Sequence, residues 1–137
     1  DGDTFDLRTH DHGVIRVRFA GIDAPERGQA FSKKSREFLE LVLSQDAVKV
    51  DCYKNDDFAR EVCRVFSRST DVGIEMLKAG LAWHFKRFQG EQTEDERKNY
   101  EAAEEGARTA RKGLWGFTDP MAPWECRKLM REGGRCR

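Results

Sequence analysis

The stretch VIRVRFAGIDAPE, residues 14–26, constrains the fold more than any other part of the chain. Ile15, Val17 and Phe19 alternate with Arg16 and Arg18, the period-two pattern of a strand with one face in a core and one face outward. The pattern then stops. Asp23 and Glu26 stand either side of Pro25, which cannot continue a helix and holds Ala24 extended. A core strand therefore runs straight into charges, and any fold this chain adopts has to bring that strand end to solvent or to partners of opposite charge.

The neighbouring segments supply the rest of a small mixed domain. DTFDLRT, residues 3–9, alternates Phe5 and Leu7 with polar positions, and the turn HDHG ending at Gly13 makes it a hairpin partner for the strand that follows. Phe31, Phe38, Leu39, Val42 and Leu43 fall at helical spacing and predict a first helix. VKVDCY (48–53) and REVCRVF (60–66), joined by KNDDFA, form a second hairpin. Asp71 caps a short helix, VGIEMLKA, that Gly80 ends. Thr93 and Glu96 make a capping box for a long helix with Tyr100, Ala103, Ala107 and Ala110 as its buried stripe, stopped by Gly113. Pro120 and Pro123 mark residues 116–137 as an irregular C-terminal tail near Trp115 and Trp124. Strands, helix, strands, helix, helix is the order of an α+β domain, a small antiparallel barrel with helices packed on it.

At 137 residues the chain suits one domain, residues 1–137, with nine Phe and three Trp available for its core. No run approaches the roughly 20 apolar residues that a membrane-spanning helix needs, and a soluble monomer without a membrane partner is the expectation. Twenty-five basic residues balance twenty-five acidic ones, which argues against a broad basic surface for nucleic acid but leaves room for a local site. Arg127, Lys128, Arg131, Arg135 and Arg137 make the tail basic; a short charged terminus of this kind reads as a solvated end that can touch phosphates. The chain opens abruptly on DGDT, with no leader visible, and a leader or a first strand upstream of residue 1 is compatible with that start.

DGDT places Asp1 and Asp3 around a glycine, and DAPE places Asp23 and Glu26 around a proline, with the Ala24 carbonyl turned from helical geometry. Rigid carboxylates and a free carbonyl are ligands for a hard cation such as Ca2+. This is not an EF-hand loop, because Phe5 occupies a ligand position of that pattern. Arg18 and Arg60 add planar guanidinium groups able to grip two phosphate oxygens each. Carboxylates, a cation and two arginines suit phosphodiester hydrolysis, with one carboxylate activating or orienting water.

The set DGDT, VRFAGIDAPE, DDFAREVCRVF, LKAGLAWHF and AAEEGARTARKGLW, in this order, resembles the staphylococcal nuclease (thermonuclease) family over nearly the whole chain. The resemblance implies an OB-fold: a five-stranded antiparallel β-barrel with three α-helices, whose first strand normally precedes DGDT. It further implies that Asp3, Asp23 and the Ala24 carbonyl bind Ca2+, that Glu26 is the base, and that Arg18 and Arg60 hold the phosphate. The implied activity is Ca2+-dependent cleavage of single-stranded or frayed DNA and RNA to 3'-phosphate products. Phe58 and Ala59 stand where many relatives have Tyr and Gly, and Asp57 where a basic residue is common, so a phenolic hydroxyl is missing beside Arg60. Alternative readings are a non-catalytic OB-fold module that binds nucleic acid or protein, and a Ca2+-stabilised binding domain. The first has no need of the whole set Asp3, Arg18, Asp23, Glu26 and Arg60, and the second has no need of both arginines.

Trp83, Phe85 and Phe88 interleave with His84, Lys86 and Arg87, a mixture able to stack bases and bind phosphates. Trp83 and Phe85 follow a helix end and read as core, which leaves Phe88 and Lys86 as nucleic-acid-binding candidates. His10 and His12 read as solvated turn residues. The four cysteines lack zinc-ribbon spacing. Cys52 and Cys63 sit equally far from the middle of their hairpin loop and should face each other within disulfide reach. Cys126 and Cys136 flank Gly133-Gly134 and can close the tail into a loop. Two such pairs suggest a secreted or periplasmic protein; four free thiols would suit the cytoplasm instead.

Overall fold

The computed structural model describes residues 1–45 and 47–137. β1 (Thr4–Arg8) and β2 (Val14–Phe19) form the first hairpin, in a register that sets Phe5 against Val17 and Thr4 against Arg18. Val17 and Phe19 are fully buried, as the alternation requires. Gly21 then turns the chain at φ +80°, a left-handed conformation; a Cβ there would also meet the Tyr100 ring at 2.8 Å. The turn leads into the two-residue strand β3 (Ile22–Asp23).

Helix α1 (Ser32–Ser44) follows, with Leu39 and Ser35 on its buried side. It separates β2 from the second hairpin, β4 (Val48–Asn55) and β5 (Glu61–Ser67), whose register places Cys52 directly opposite Cys63. β6 (Thr70–Asp71) pairs with the end of β5, and Asp71 caps α2 (Val72–Lys78) by accepting from the Ile74 N–H. β7 (Trp83–His84) pairs with β3, placing Asp23 opposite Trp83. α3 (Glu94–Thr109) starts at the Thr93–Glu96 capping box. A fourth helix, α4 (Pro123–Arg131), closes the chain. Among the described residues no helix is long and apolar enough to cross a membrane.

The architecture is α+β and OB-like, but several expectations are corrected. The main sheet runs β1-β2-β5-β4 with β6 beside β5, while β3 and β7 form a separate two-stranded sheet; no closed barrel forms among the described residues. The sheet is mixed, because β2 and β5 are parallel, paired from Val17–Glu61 to Phe19–Cys63. The connection through α1 and β4 is long enough to return the chain in the same direction, which a hairpin cannot do. The tail expected to be irregular carries α4, and with it four α-helices are described rather than three. Pro123 starts that helix at a position where a missing N–H breaks no intrahelical bond. Ala110, expected in the stripe of α3, is exposed, because the helix ends at Thr109 and Arg111 turns to φ +54°.

One apolar cluster gathers Val17, Phe19, Ile22, Leu39, Val65, Val72, Met76, Leu77 and Tyr100 between the sheet and the helices. The Tyr100 hydroxyl donates into the Asp71 carboxylate at 2.9 and 3.0 Å, so the capping residue of α2 is tied to α3. A second cluster of Trp83, Ala107, Leu114, Trp115 and Ala122 underlies α4, with Trp124 packed against it. Both disulfides form, Cys52–Cys63 and Cys126–Cys136.

Candidate active site

DGDT and DAPE meet. Gly2 lies against Ser35 of α1, and the adjoining Asp3 is held from both ends: its carbonyl accepts from the Phe19 N–H, and its Oδ2 accepts from the Ala24 N–H at 2.8 Å. Its Oδ1 accepts from the Thr4 hydroxyl at 3.0 Å. Asp23 arrives on β3 and is completely buried. Arg18 Nη2 stands 3.5 Å from Asp23 and 3.7 Å from Asp3, so the two carboxylates face one another across a single guanidinium nitrogen.

Arg18 is not the solvent-facing residue that strand alternation implies. Its side chain is only 11% exposed, and Nη1 donates to the carbonyls of Phe19 and Ile22 at 2.9 and 2.8 Å. It closes the Gly21 turn while presenting its remaining edge to the acids. Arg60 reaches the same cavity from the β4–β5 loop: the parallel register sets Val62 beside Arg18, and Arg60 lies two residues before Val62. Asp56 orients it, with Oδ2 accepting from Arg60 Nε at 2.6 Å and Oδ1 from the backbone N–H groups of Phe58 and Arg60.

These groups line a cavity of about 490 Å³ that contains Asp3, Arg18, Asp23, Glu26, Arg60 and Phe88. Phe58, at its mouth, is 76% exposed, with the Arg60 guanidinium 5.1 Å from its ring centroid. Lys86 is placed elsewhere: its Nζ pairs with the buried Glu104 at 3.1 Å, and its neighbour Arg87 lines the cavity in its stead. With about three residues per turn, the 3-10 turn Lys86–Glu91 points successive side chains about 120° apart, which separates these two adjacent basic residues. Phe85 is not simply core; its ring forms part of the cavity wall, with Arg18 5.9 Å from its centroid.

A residue that the motifs did not single out completes the wall. Arg127 of α4 donates from Nη1 to Asp23 Oδ1 at 3.0 Å and to Glu26 Oε1 at 2.7 Å, and from Nη2 to Asp23 Oδ2 at 2.7 Å. Burial pushes the Asp23 carboxyl up to about 6, against the opposing hydrogen bond from Arg127 and the charge of Arg18; at neutral pH it remains the ionised partner of both. The basic character of the tail was the available signal for Arg127, but charge counting cannot say which of five basic residues turns inward.

Chemically the site offers hard oxygen donors, Asp3, Asp23 and Glu26, next to guanidinium groups. Among the described residues no three acidic, histidine or cysteine side chains stand close enough to enclose a metal by themselves. The donor chemistry fits a hard divalent cation held by two carboxylates and completed by backbone carbonyl and water, with Arg18 Nη2 marking a point where positive charge is favoured by both acids.

Comparison with known proteins bears on the family of the chain. The staphylococcal nuclease homologue family matches residues 16–116, which include Arg18, Asp23, Ala24, Glu26 and Arg60 but neither Asp3 nor Arg127. The chain is 36% identical over 119 residues to a rice (Oryza sativa subsp. japonica) protein named probable staphylococcal-like nuclease CAN4, covering 87% of this chain and 23% of that protein. It is 35% identical over 119 residues to staphylococcal-like nuclease CAN1 of Arabidopsis thaliana, covering 87% of this chain and 35% of the relative. An uncharacterized endonuclease of Haemophilus influenzae is 33% identical over 128 residues, 93% of this chain and 68% of its own length. The chain thus spans about a quarter to a third of the length of these plant relatives. With the family match covering most of its length and these relatives alongside, the chain belongs to the staphylococcal nuclease homologue family.

Proposed function

We propose that this protein is a Ca2+-dependent phosphodiesterase that cleaves single-stranded or frayed DNA and RNA to 3'-phosphate products. The observation that carries the reading is the convergence of Asp3, Asp23, Glu26, Arg18 and Arg60 on one cavity. Asp3, Asp23 and the Ala24 carbonyl are the residues that would hold Ca2+, whose chemistry when bound is neutralisation of charge on the phosphoryl oxygens. Glu26 orients water and takes its proton, and Arg60 presents its guanidinium where charge develops on the phosphate. Arg18 braces the turn that carries Asp23 and adds its charge to the same wall.

The exposed ring of Phe58 and the rings of Phe85 and Phe88 support a single-stranded substrate, because unpaired bases can stack on such faces whereas a duplex shields them. The two disulfides support an oxidising compartment, secreted or periplasmic, as the place of action. The test is cleavage of single-stranded DNA and RNA oligonucleotides with Ca2+ and with a chelator, beside Glu26→Gln and Arg60→Ala. Loss of the base should lower kcat by about 10² to 10⁴. Loss of the Arg60 donor should cost about 10² to 10³. Cleavage that survives the chelator, or full activity in both variants, would overturn the reading.

A further inference from the structure

The Glu26 side chain turns about three bonds, and among the described residues Arg127 is the one partner recorded for its carboxylate. That contact spans 101 residues of chain and depends on α4 being docked. Three features dock it. The Trp124 ring stacks on Phe85, with centroids 5.6 Å apart and planes within 2°. It also sets an edge against Trp83, with centroids 5.4 Å apart. Cys126, the residue before Arg127, is completely buried and bridged to Cys136. Gln29 then joins the two segments, accepting from the Glu26 N–H at 2.9 Å and donating from Nε2 to the Met121 carbonyl at 2.7 Å.

We propose that Arg127 is a positioning residue of the phosphodiesterase site, acting through Glu26 by fixing its carboxylate against Asp23. The inference rests on the nuclease reading. One planar guanidinium donates three hydrogen bonds to two carboxylates, which sets their separation and relative orientation. An ammonium carries the same charge but cannot hold that fork, so a lysine here is not an equivalent. Glu26 left without this partner samples several rotamers, and a reacting group displaced by about 1 Å loses rate on the order of a hundredfold. The residue acts from α4, outside the 16–116 segment that the family match covers.

The test is a kinetic double-mutant cycle on the full chain, with Glu26→Gln, Arg127→Ala and the double variant, using a short single-stranded DNA and Ca2+. Arg127→Ala should lower kcat by about ten- to a hundredfold, with KM within about threefold, because the oriented base and not substrate binding is lost. In the Glu26→Gln background the same substitution should change kcat less than about threefold, since the group it acts through is already gone. Arg127→Lys keeps the charge and guards against a variant that fails to fold; it should keep its thermal midpoint near that of the parent while remaining at least about fivefold slower. Unchanged kcat in Arg127→Ala, equal losses in both Glu26 backgrounds, or full rescue by lysine would overturn the Arg127 role while leaving the nuclease reading intact. Absence of cleavage by the parent protein under Ca2+ would overturn both.

Discussion

Asp56 decides where the Arg60 guanidinium sits. Its two oxygens accept from the Phe58 N–H, the Arg60 N–H and Arg60 Nε, at 2.9, 3.0 and 2.6 Å, and the loop closes on the Asp56 N–H to Arg60 carbonyl bond. Ala59 is held at φ +59°, a left-handed conformation that an L residue adopts only when its surroundings insist. Asp56→Ala should therefore raise KM several-fold and cost about 1 to 2 kcal/mol in urea unfolding, the usual price of removing the acceptor from paired donors. Desolvation opposes ionisation of Asp56, but the N–H groups of Arg60 and Phe58 and the Arg60 guanidinium outweigh it and hold the carboxyl below its ordinary value of 3.8. A depressed folded-state value contributes stability above the unfolded value that disappears as pH falls through the folded one. Unfolding free energy should thus drop more steeply below about pH 4 in the parent than in Asp56→Asn; parallel pH curves would refute the assignment. At this scale the sequence is a partial guide. Asp3, Asp23, Glu26 and Arg60 reach one cavity as their motifs imply, because each lies in a short rigid segment. Arg18 reaches that cavity too, but it and Arg127 are more enclosed than local pattern implies, because pattern reports a strand's faces or a tail's charge, while both side chains answer to carbonyls and carboxylates delivered by other segments.

The elements that were legible are those whose signals are local. Alternation set the two hairpins, and side-chain caps set α2 and α3, since each needs only residues within one turn of one another. The parallel β2–β5 pairing was hidden because it joins segments more than forty residues apart in sequence and leaves no periodic trace in either. α4 was hidden because its prolines suggest a break, although Pro123 is compatible with a helix start. The dependence of the site on α1 was hidden for a related reason: it rests on one glycine without a side chain. A Cβ on Gly2 would overlap the Ser35 hydroxyl and stand 2.8 Å from the Ser35 Cβ and 3.0 Å from its backbone carbon, with Ser35 itself completely buried. Either α1 moves or the DGDT turn does, and Asp3 travels with the turn. Gly2→Ala should destabilise the protein by about 1 to 3 kcal/mol, the range of core overpacking, and lower the cleavage rate as well. A Gly2→Ala protein with the parental thermal midpoint would show that helix and turn are not in register-setting contact.

Across the whole molecule the cavity lies where two separately supported walls meet. The main sheet and its apolar cluster carry Asp3, Arg18 and the Arg60 loop, with Asp23 on the adjoining β3–β7 pair, while the tryptophan cluster carries α4 and Arg127. Each wall has its own disulfide. Cys52–Cys63 ties β4 to β5 just before the Asp56–Arg60 loop, and Cys126–Cys136 ties the chain end back to α4. The bridges close loops of similar length, 11 and 10 residues of separation, so the chain-entropy account gives each about 3 kcal/mol of stabilisation. Their effects on the reaction should nevertheless differ. Replacing Cys52 and Cys63 by alanine leaves β4 and β5 joined by their ladder, so stability should fall while kcat at saturating substrate stays within a few-fold. The last residues have no ladder behind them: after α4 the chain is held by the bridge and by contacts such as Arg137 to Asp119, which is exposed. Cys126 is also the completely buried residue of α4 beside Arg127, so replacing Cys126 and Cys136 should lower kcat beyond what the shared loss of stability explains, because an α4 that packs less tightly holds Arg127 less firmly against Glu26. Comparing the two double-alanine variants at a temperature where both are at least nine-tenths folded isolates that difference, and equal kcat values would mean that docking of α4 is maintained by Trp124 and its aromatic neighbours alone.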